Sequence, residues 1–279
     1  MVTYQIPANV HITYMSWDEI VELFQSKFDF EIALATPYKL CDFRPAYGEI
    51  FEDYLQDYDF WGYCDIDLFW GRIRRFVTDD VLAQYDKIYS RGHCSLYRNN
   101  SKVNSWYRNL PCRGFQRWQD VFSKCDSCCF DEWAGHCGGG ISMIIKENGI
   151  PIYDEADMAD LKVNKGRLVP NRKGYADRKI YFRIEEDGCF IYGGAVACNA
   201  HQGEMIKWVE RTEIDRLDEV VYVHFQKRKI EINITEDSKA FFLSAPAYVS
   251  NAPRIDFFGV RKYELTALYK RAVNKLKSV

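Results

Sequence analysis

No apolar run in this sequence approaches the ~20 residues that cross a bilayer, and the first residues lack the apolar centre of a secretory signal. There is no basic excess either. Lys and Arg number 37 against 40 Asp and Glu, a formal net charge of −3 with a pI of about 6.0. The conspicuous basic features are Lys227-Arg228-Lys229 and a C-terminal Lys/Arg face, too little for a general nucleic-acid binder. Internal repeats and low-complexity tracts are missing as well, which removes solenoids and disordered spacers from consideration.

Aromatic residues, by contrast, are abundant, at 16% of the chain. That favours a packed globular protein with surfaces able to stack on sugars or bases. A chain of 279 residues buries a sizeable core as one large domain, or as a domain with a smaller appendage. Its ten cysteines, without a secretory signal, are expected to be reduced thiols in a cytoplasmic protein.

Residues 10–14 alternate like a strand. Ser16, with Glu19 three residues on, forms a capping box ahead of a helix whose apolar stripe is Ile20, Val21, Leu23 and Phe24. Residues 38–55 read as helical, bent or restarted at Pro45, and 58–64 as a strand. Thr78-Asp79-Asp80 is a helix start, 87–89 and 95–97 are short strands, and Ser101 opens a further helix. Helical patterns follow at 114–123 and 130–148, the second interrupted by Gly138-Gly139-Gly140. From 178 onward the pattern turns to β. Asp187-Gly188 marks a hairpin between 179–185 and 189–192, residues 220–225 and 240–244 are strands, and 262–277 is a basic amphipathic helix. The early βα alternation predicts an α/β core with a β-rich, then helical, C-terminal part. The expected division is a main domain over 1–235 and an appendage over 236–279.

The chain is organised around Tyr58-Asp-Phe-Trp-Gly-Tyr-Cys-Asp-Ile-Asp-Leu-Phe-Trp-Gly71. An apolar strand ends on Asp65 and Asp67, and residues two apart in extended chain project to one face. Two hard oxygen ligands converging there make half of a Mg²⁺ or Mn²⁺ site, which substrate phosphates commonly complete. The pattern alone leaves a second reading open, a polar pair closing the strand as a turn.

Three other constellations carry chemistry. Lys39 and Asp42, with Tyr38, share a helix face, where an amine suits phosphate and a carboxylate a ribose hydroxyl; a solvated ion pair is the plainer reading. His224 leaves an apolar strand and Lys227 follows three residues later, a pair suited to a metal and to the diphosphate held by it, although a strand-end histidine is often structural. Asp131 and Glu132 precede His136-Cys137 and the three glycines, where a carboxylate serves as a base or orients a sugar hydroxyl. Cys125, Cys128, Cys129, His136 and Cys137 have a C-x₂-C flavour, but the usual second pair is missing, which argues against structural zinc.

With these residues in view the sequence resembles the D-x-D-dependent glycosyltransferases of the GT-A fold, in particular a bacterial group related to capsule and lipopolysaccharide sugar transferases. The block PYKLCDFRPAYGEIFEDYLQDYDFWGYCDIDLFWG carries the resemblance, with HFQKRK as a second anchor, over roughly residues 10–230. It implies a Rossmann-like mixed sheet flanked by helices. Asp65, Asp67 and His224 would be ligands to Mn²⁺ or Mg²⁺, and Lys227 would lie at the diphosphate. Tyr38, Lys39, Asp42 and Arg44 would face the donor. Asp131 and Glu132 are the candidate catalytic carboxylates on their own chemistry, not on the resemblance. The partners implied are a nucleotide-sugar donor and a glycan or lipid-linked acceptor, at the inner face of the cytoplasmic membrane through the basic C-terminal helix. In such enzymes a base-binding strand precedes the equivalent of Val10, so the fold is expected to be N-terminally incomplete. That leaves a degenerate, non-catalytic binding protein as one alternative. A haloacid-dehalogenase-like phosphohydrolase is the other, but it expects Thr or Val two residues after the second Asp, where this chain has Phe69.

Overall fold

A computed structural model describes residues 6–162, 168, 179–185, 188–194, 215–226, 230–234, 238–245, 248–250 and 257–277. In chain order its strands are β1 (Phe60–Cys64), β2 (Leu68–Trp70), β3 (Lys87–Arg91), β4 (Cys94–Arg98), β5 (Ile152–Tyr153), β6 (Ala159–Asp160), β7 (Lys179–Glu185), β8 (Gly188–Gly194), β9 (Asp215–Val220), β10 (Tyr222–His224), β11 (Glu231–Asn233), β12 (Ala240–Ser244) and β13 (Tyr248–Ser250). The chain divides into two compact units, one of residues 1–64 and 85–154, the other of 65–84 and 155–279. This is a different cut from the expected one at 235/236, because residues 65–84 leave the first unit and return to it at Tyr85. The class is mixed α/β.

In the first unit, β1, β4, β3 and β5 form a sheet in that order, antiparallel except for the parallel pair β3 and β5. The capping box at Ser16 and Glu19 starts the helix Trp17–Gln25 as the sequence predicts, and Phe24 carries that helix into the core. There Phe43 stacks on Phe122 at 4.1 Å between ring centroids, and Trp61 stacks on Tyr97 at 4.6 Å. Each such buried ring contributes ~1.5–3 kcal/mol from burial, and offset stacking adds to it. Residues 37–55 are helical in short pieces: 3₁₀ turns Pro37–Lys39 and Arg44–Ala46 begin at or beside a proline and separate single α-turns. Residues 10–14 form no strand, and Val10, Ile12 and Tyr14 are exposed. Alternation stabilises an extended segment only where a partner strand and a core face exist for it. The expected helix 130–148 is reduced to a turn, Gly135–Cys137, and the helix Ile141–Glu147. Left-handed backbone at Cys129, Ala134, Gly138 and Gly139 breaks the rest.

The second unit holds two sheets. One is β2, β10 and β6; the other is β11, β13, β12, β7, β8 and β9 in that order. Strands β7 and β8 pair antiparallel in the register that Asp187-Gly188 predicts, with Glu185 paired to Gly188. The expected single strand at 220–225 is instead split at Val221. Val220 pairs with Cys189 in the large sheet, while Tyr222 pairs with Trp70 in the small one. All six residues are buried, so one apolar run is anchored in both sheets. A helix spans Phe257–Lys277, with Leu265, Leu268 and Tyr269 exposed along it. Among the described residues no helix is long and apolar enough to cross a membrane.

Candidate metal centre

The centre is assembled on β10, the middle strand of the small sheet. Its register sets Leu68 and Asp160 opposite His224 on its two sides, antiparallel to β2 and parallel to β6. Backbone bonds continue past the strand ends: Phe225 N–H donates to Asp67 O at 3.1 Å, and Leu161 N–H donates to His224 O at 3.2 Å. The imidazole therefore leaves a strand held on both edges, next to the residue that follows Asp67. His224 is 6% exposed.

Asp65 and Asp67 lie in the bend between β1 and β2 rather than on a strand, but alternation still operates across it. Ile66 between them is fully exposed, and both carboxylates are half-buried. His224 Nε2 is 3.7 Å from Asp65 Oδ2 and 3.5 Å from Asp67 Oδ1. One ligand atom from each of the three residues lies within 4.8 Å of the others. Two ligands each ~2.1 Å from one ion can be no more than ~4.2 Å apart, so both imidazole–carboxylate separations are within reach of a single cation. Two carboxylates and an imidazole fit Mn²⁺ or Mg²⁺, with the remaining positions left to water or phosphate oxygens.

Asp160 and Gln226 complete the arrangement, and sequence reasoning missed both. His224 Nδ1 is 3.0 Å from Asp160 Oδ1, and Gln226 Nε2 donates to the same oxygen. With Nδ1–H donating to Asp160, the lone pair of Nε2 faces Asp65 and Asp67. That is the carboxylate–histidine support that metal-ligating imidazoles almost always have. Gln226 reaches Asp160 from a left-handed backbone, φ 57°, an uncommon conformation for glutamine that concentrates at functional sites. No short motif marks Asp160; its signal is pairing to β10, which single-sequence patterns do not encode.

Gly71 closes the D-x-D block where β2 leaves the small sheet. A Cβ there would lie 2.6 Å from Val220 O and 3.0 Å from the Cys189 backbone nitrogen, so only glycine fits. Next to it, Arg72 holds Glu219 with two bonds of 2.9 and 2.8 Å, fixing the exit of β2 to β9.

The donor-facing residues expected from the sequence are placed differently. Lys39 is 1% exposed, and its ammonium donates to Asp42 Oδ2 at 2.8 Å, Val121 O at 2.9 Å and Asp126 O at 2.8 Å, using all three protons. Asp42 is fully buried and accepts from the backbone N–H groups of Cys128 at 2.9 Å and Phe130 at 2.8 Å. The i, i+3 pairing is as expected, but it turns inward and fastens the 121–130 loop, so neither group meets a donor. Arg44 Nη1 donates to Asp131 Oδ2 at 2.9 Å and to Gly92 O at 2.6 Å, over the ring of Tyr63. Asp131 is 3% exposed; burial pushes its carboxyl up to about 7, with Arg44 pulling the other way. A general base must reach the proton that it takes. Asp131 is instead committed to orienting Arg44, whereas Glu132 is half-buried. Tyr38 is 58% exposed, and Lys227 lies outside the described residues.

The chain matches, over residues 1–252, a family of unknown function, DUF6625, and belongs to it. No curated protein and no solved structure matches it.

Proposed function

We propose that this protein is a metal-dependent glycosyltransferase of GT-A type, moving a sugar from a nucleotide-sugar donor to a glycan or lipid-linked acceptor in cell-surface polysaccharide synthesis. The observation that carries the proposal is the convergence of Asp65, Asp67 and His224 Nε2, with Asp160 steering the imidazole from behind. A D-x-D joined by a distant strand-end histidine is the ligand pattern of the enzymes that the sequence resembles. Bound there, Mn²⁺ or Mg²⁺ supplies neutralisation of the charge that builds on a departing nucleoside diphosphate.

The chain's own residues do the rest. Asp65 and Asp67 supply the charge that draws a cation to the bend, and Asp160 keeps a proton on Nδ1 so that Nε2 stays available. Within the first unit, Glu132 is half-buried and Asp131 buried, so Glu132 is the better candidate of the two for acid–base work. Leu265, Leu268 and Tyr269, exposed on the helix that also carries Arg261, Lys262 and Lys270, support attachment at the inner face of a membrane rich in acidic lipids. A non-catalytic transferase-like binding protein is the second reading. It is favoured by the internal use of Lys39, Asp42 and Arg44, which leaves the donor without those three contacts.

One experiment separates the two. A panel of nucleotide sugars is tested by thermal shift with and without Mn²⁺, and the stabilising donor is then followed for release of its nucleoside diphosphate. Mn²⁺-dependent stabilisation with turnover supports the transferase, and stabilisation without turnover the binding protein. Absence of Mn²⁺-dependent stabilisation by any nucleotide sugar refutes both.

A further inference from the structure

Residues 129–140 of the first unit form a tight loop whose shape is imposed by its backbone. Cys129 and Ala134 sit at φ 52° and 41°, and Gly138 and Gly139 at 91° and 85°. Left-handed conformation at the two non-glycine residues costs ~1–3 kcal/mol each and persists only where the surroundings enforce it. Here they do. Gly139 N–H and Cys137 N–H both donate to Ala134 O at 2.9 Å, and Gly140 N–H donates to Trp133 O at 3.0 Å. A Cβ on Gly140 would lie 2.2 Å from Glu132 O and 3.0 Å from Cys129 O, and one on Gly139 would lie 2.5 Å from the Phe115 ring. Gly140 thus lets the two arms of the loop touch, and Gly139 lets the loop pack against Phe115.

What the loop brings together is Cys129, His136 and Cys137. One ligand atom from each lies within 4.8 Å of the other two. The sequence pattern took in all three along with the C-x₂-C pair Cys125 and Cys128, and argued against zinc because a second pair is missing. Cys125 and Cys128 are not part of the cluster. Cys125 is exposed, and the Cys128 sulfur faces Asp126 O at 3.6 Å.

We propose that Cys129, His136 and Cys137 form a second, soft-metal site that takes Zn²⁺, distinct in ligand chemistry from the hard-oxygen centre at Asp65 and Asp67. Two thiolates and one neutral imidazole are soft and borderline donors, which select Zn²⁺ over Mn²⁺ or Mg²⁺. The charges close: Zn²⁺ displaces the two thiol protons into solvent, and two thiolates balance its two charges, leaving the half-buried site neutral. Three protein ligands leave the fourth tetrahedral position open, and exposure of His136 places that position toward water. Occupancy would tie 129 to 136–137 across the strained turn and hold Asp131 and Glu132, which lie between the ligands in sequence. The proposal does not rest on the transferase reading.

The test uses the full chain, purified with reductant, stripped with a chelator and titrated with Zn²⁺ against a chromophoric competitor. One equivalent is expected, and Co²⁺ in its place should give thiolate-to-cobalt charge-transfer absorption. Cys129→Ser and Cys137→Ser should abolish that absorption. His136→Ala, at an exposed position, should weaken Zn²⁺ at least about tenfold, a factor already typical of losing a residue that only hydrogen-bonds a metal ligand. Asp65→Asn with Asp67→Asn should leave the zinc in place. If a serine variant fails to fold, the His136→Ala titration decides alone. Wild-type chain that takes up no zinc overturns the proposal. So does zinc binding indifferent to His136→Ala, or one lost with Asp65 and Asp67 instead.

Discussion

Asp160 offers a sharp test of the metal centre, because it holds the nitrogen of His224 opposite the one that faces Asp65 and Asp67. In the wild type its Oδ1 receives both His224 Nδ1 and Gln226 Nε2. Asp160→Ala removes that acceptor. The imidazole is then free to put its proton on Nε2, the nitrogen that must coordinate, and to rotate out of line with Asp65 and Asp67. Loss of such a partner typically weakens metal affinity 10- to 100-fold, or about 1.4–2.7 kcal/mol. Asp160→Asn keeps an oxygen for the two donors but loses the charge, so it should fall at the lower end of that range. Mn²⁺ binding is measured calorimetrically for wild type, Asp160→Asn, Asp160→Ala and His224→Ala, with metal-free unfolding as the control for structure. The expected order of affinity is wild type, Asn, Ala at 160, then Ala at 224. If Asp160→Ala binds Mn²⁺ like wild type while His224→Ala does not, support of the imidazole by Asp160 is refuted. If neither variant differs from wild type, His224 is no ligand.

Two further predictions concern stability. Asp42→Ala should destabilise the first unit by ~3–5 kcal/mol, as breaking a buried pair typically does, since it strands the Lys39 ammonium and two backbone N–H groups. Denaturant unfolding measures this, and a loss under 1 kcal/mol would mean that the pair is not the clamp described. Lys87 is fully buried with its ammonium 3.9 Å over the Tyr97 ring, and burial lowers its pKa to about 7 from the ordinary 10.5. Because the unfolded chain holds that proton up to the higher value, folded stability should rise between pH 7 and 10.5 on this account. Lys87→Met removes the dependence, so its stability relative to wild type should fall by about 2 kcal/mol from pH 7 to pH 9, somewhat less than two full pH units at 1.36 kcal/mol each because the folded-state lysine is half titrated at pH 7. An equal difference at both pH values would refute the buried-charge assignment.

Local chemistry was legible in the sequence wherever it closes within a few residues. The capping box at Ser16 and Glu19, the helix start at Thr78 and the antiparallel pairing of β7 with β8 on either side of residues 186–187 all appear where side-chain spacing puts them. The strand expected at 10–14 and the long helix at 130–148 do not. The first had the right period but no partner. The second had helical spacing, overruled by four left-handed residues that a Cys-rich, Gly-rich loop can accept. The division into units was illegible for the same reason: residues 65–84 are adjacent in sequence to one unit and packed in the other.

At the site, the limit of sequence reading follows from what each residue needs. Asp65, Asp67 and His224 could be named because each ends or borders an apolar run, and an apolar run fixes where its flanking residue emerges. Lys39 and Asp42 looked alike on that criterion, as a charged pair at helical spacing. Which way the pair faces is set by partners 82 and 87 residues away, the carbonyls of Val121 and Asp126. A buried loop must have donors for its carbonyls, and a lysine with three protons is a compact way to supply two of them along with its own counter-ion. The same reasoning run in reverse identifies Asp160. A histidine that is to offer Nε2 to a metal must have Nδ1 held, and the strand parallel to its own is where the acceptor was to be sought. The demand was readable in His224 itself; only the address, on a two-residue strand that pairs in parallel across 64 residues, required the fold.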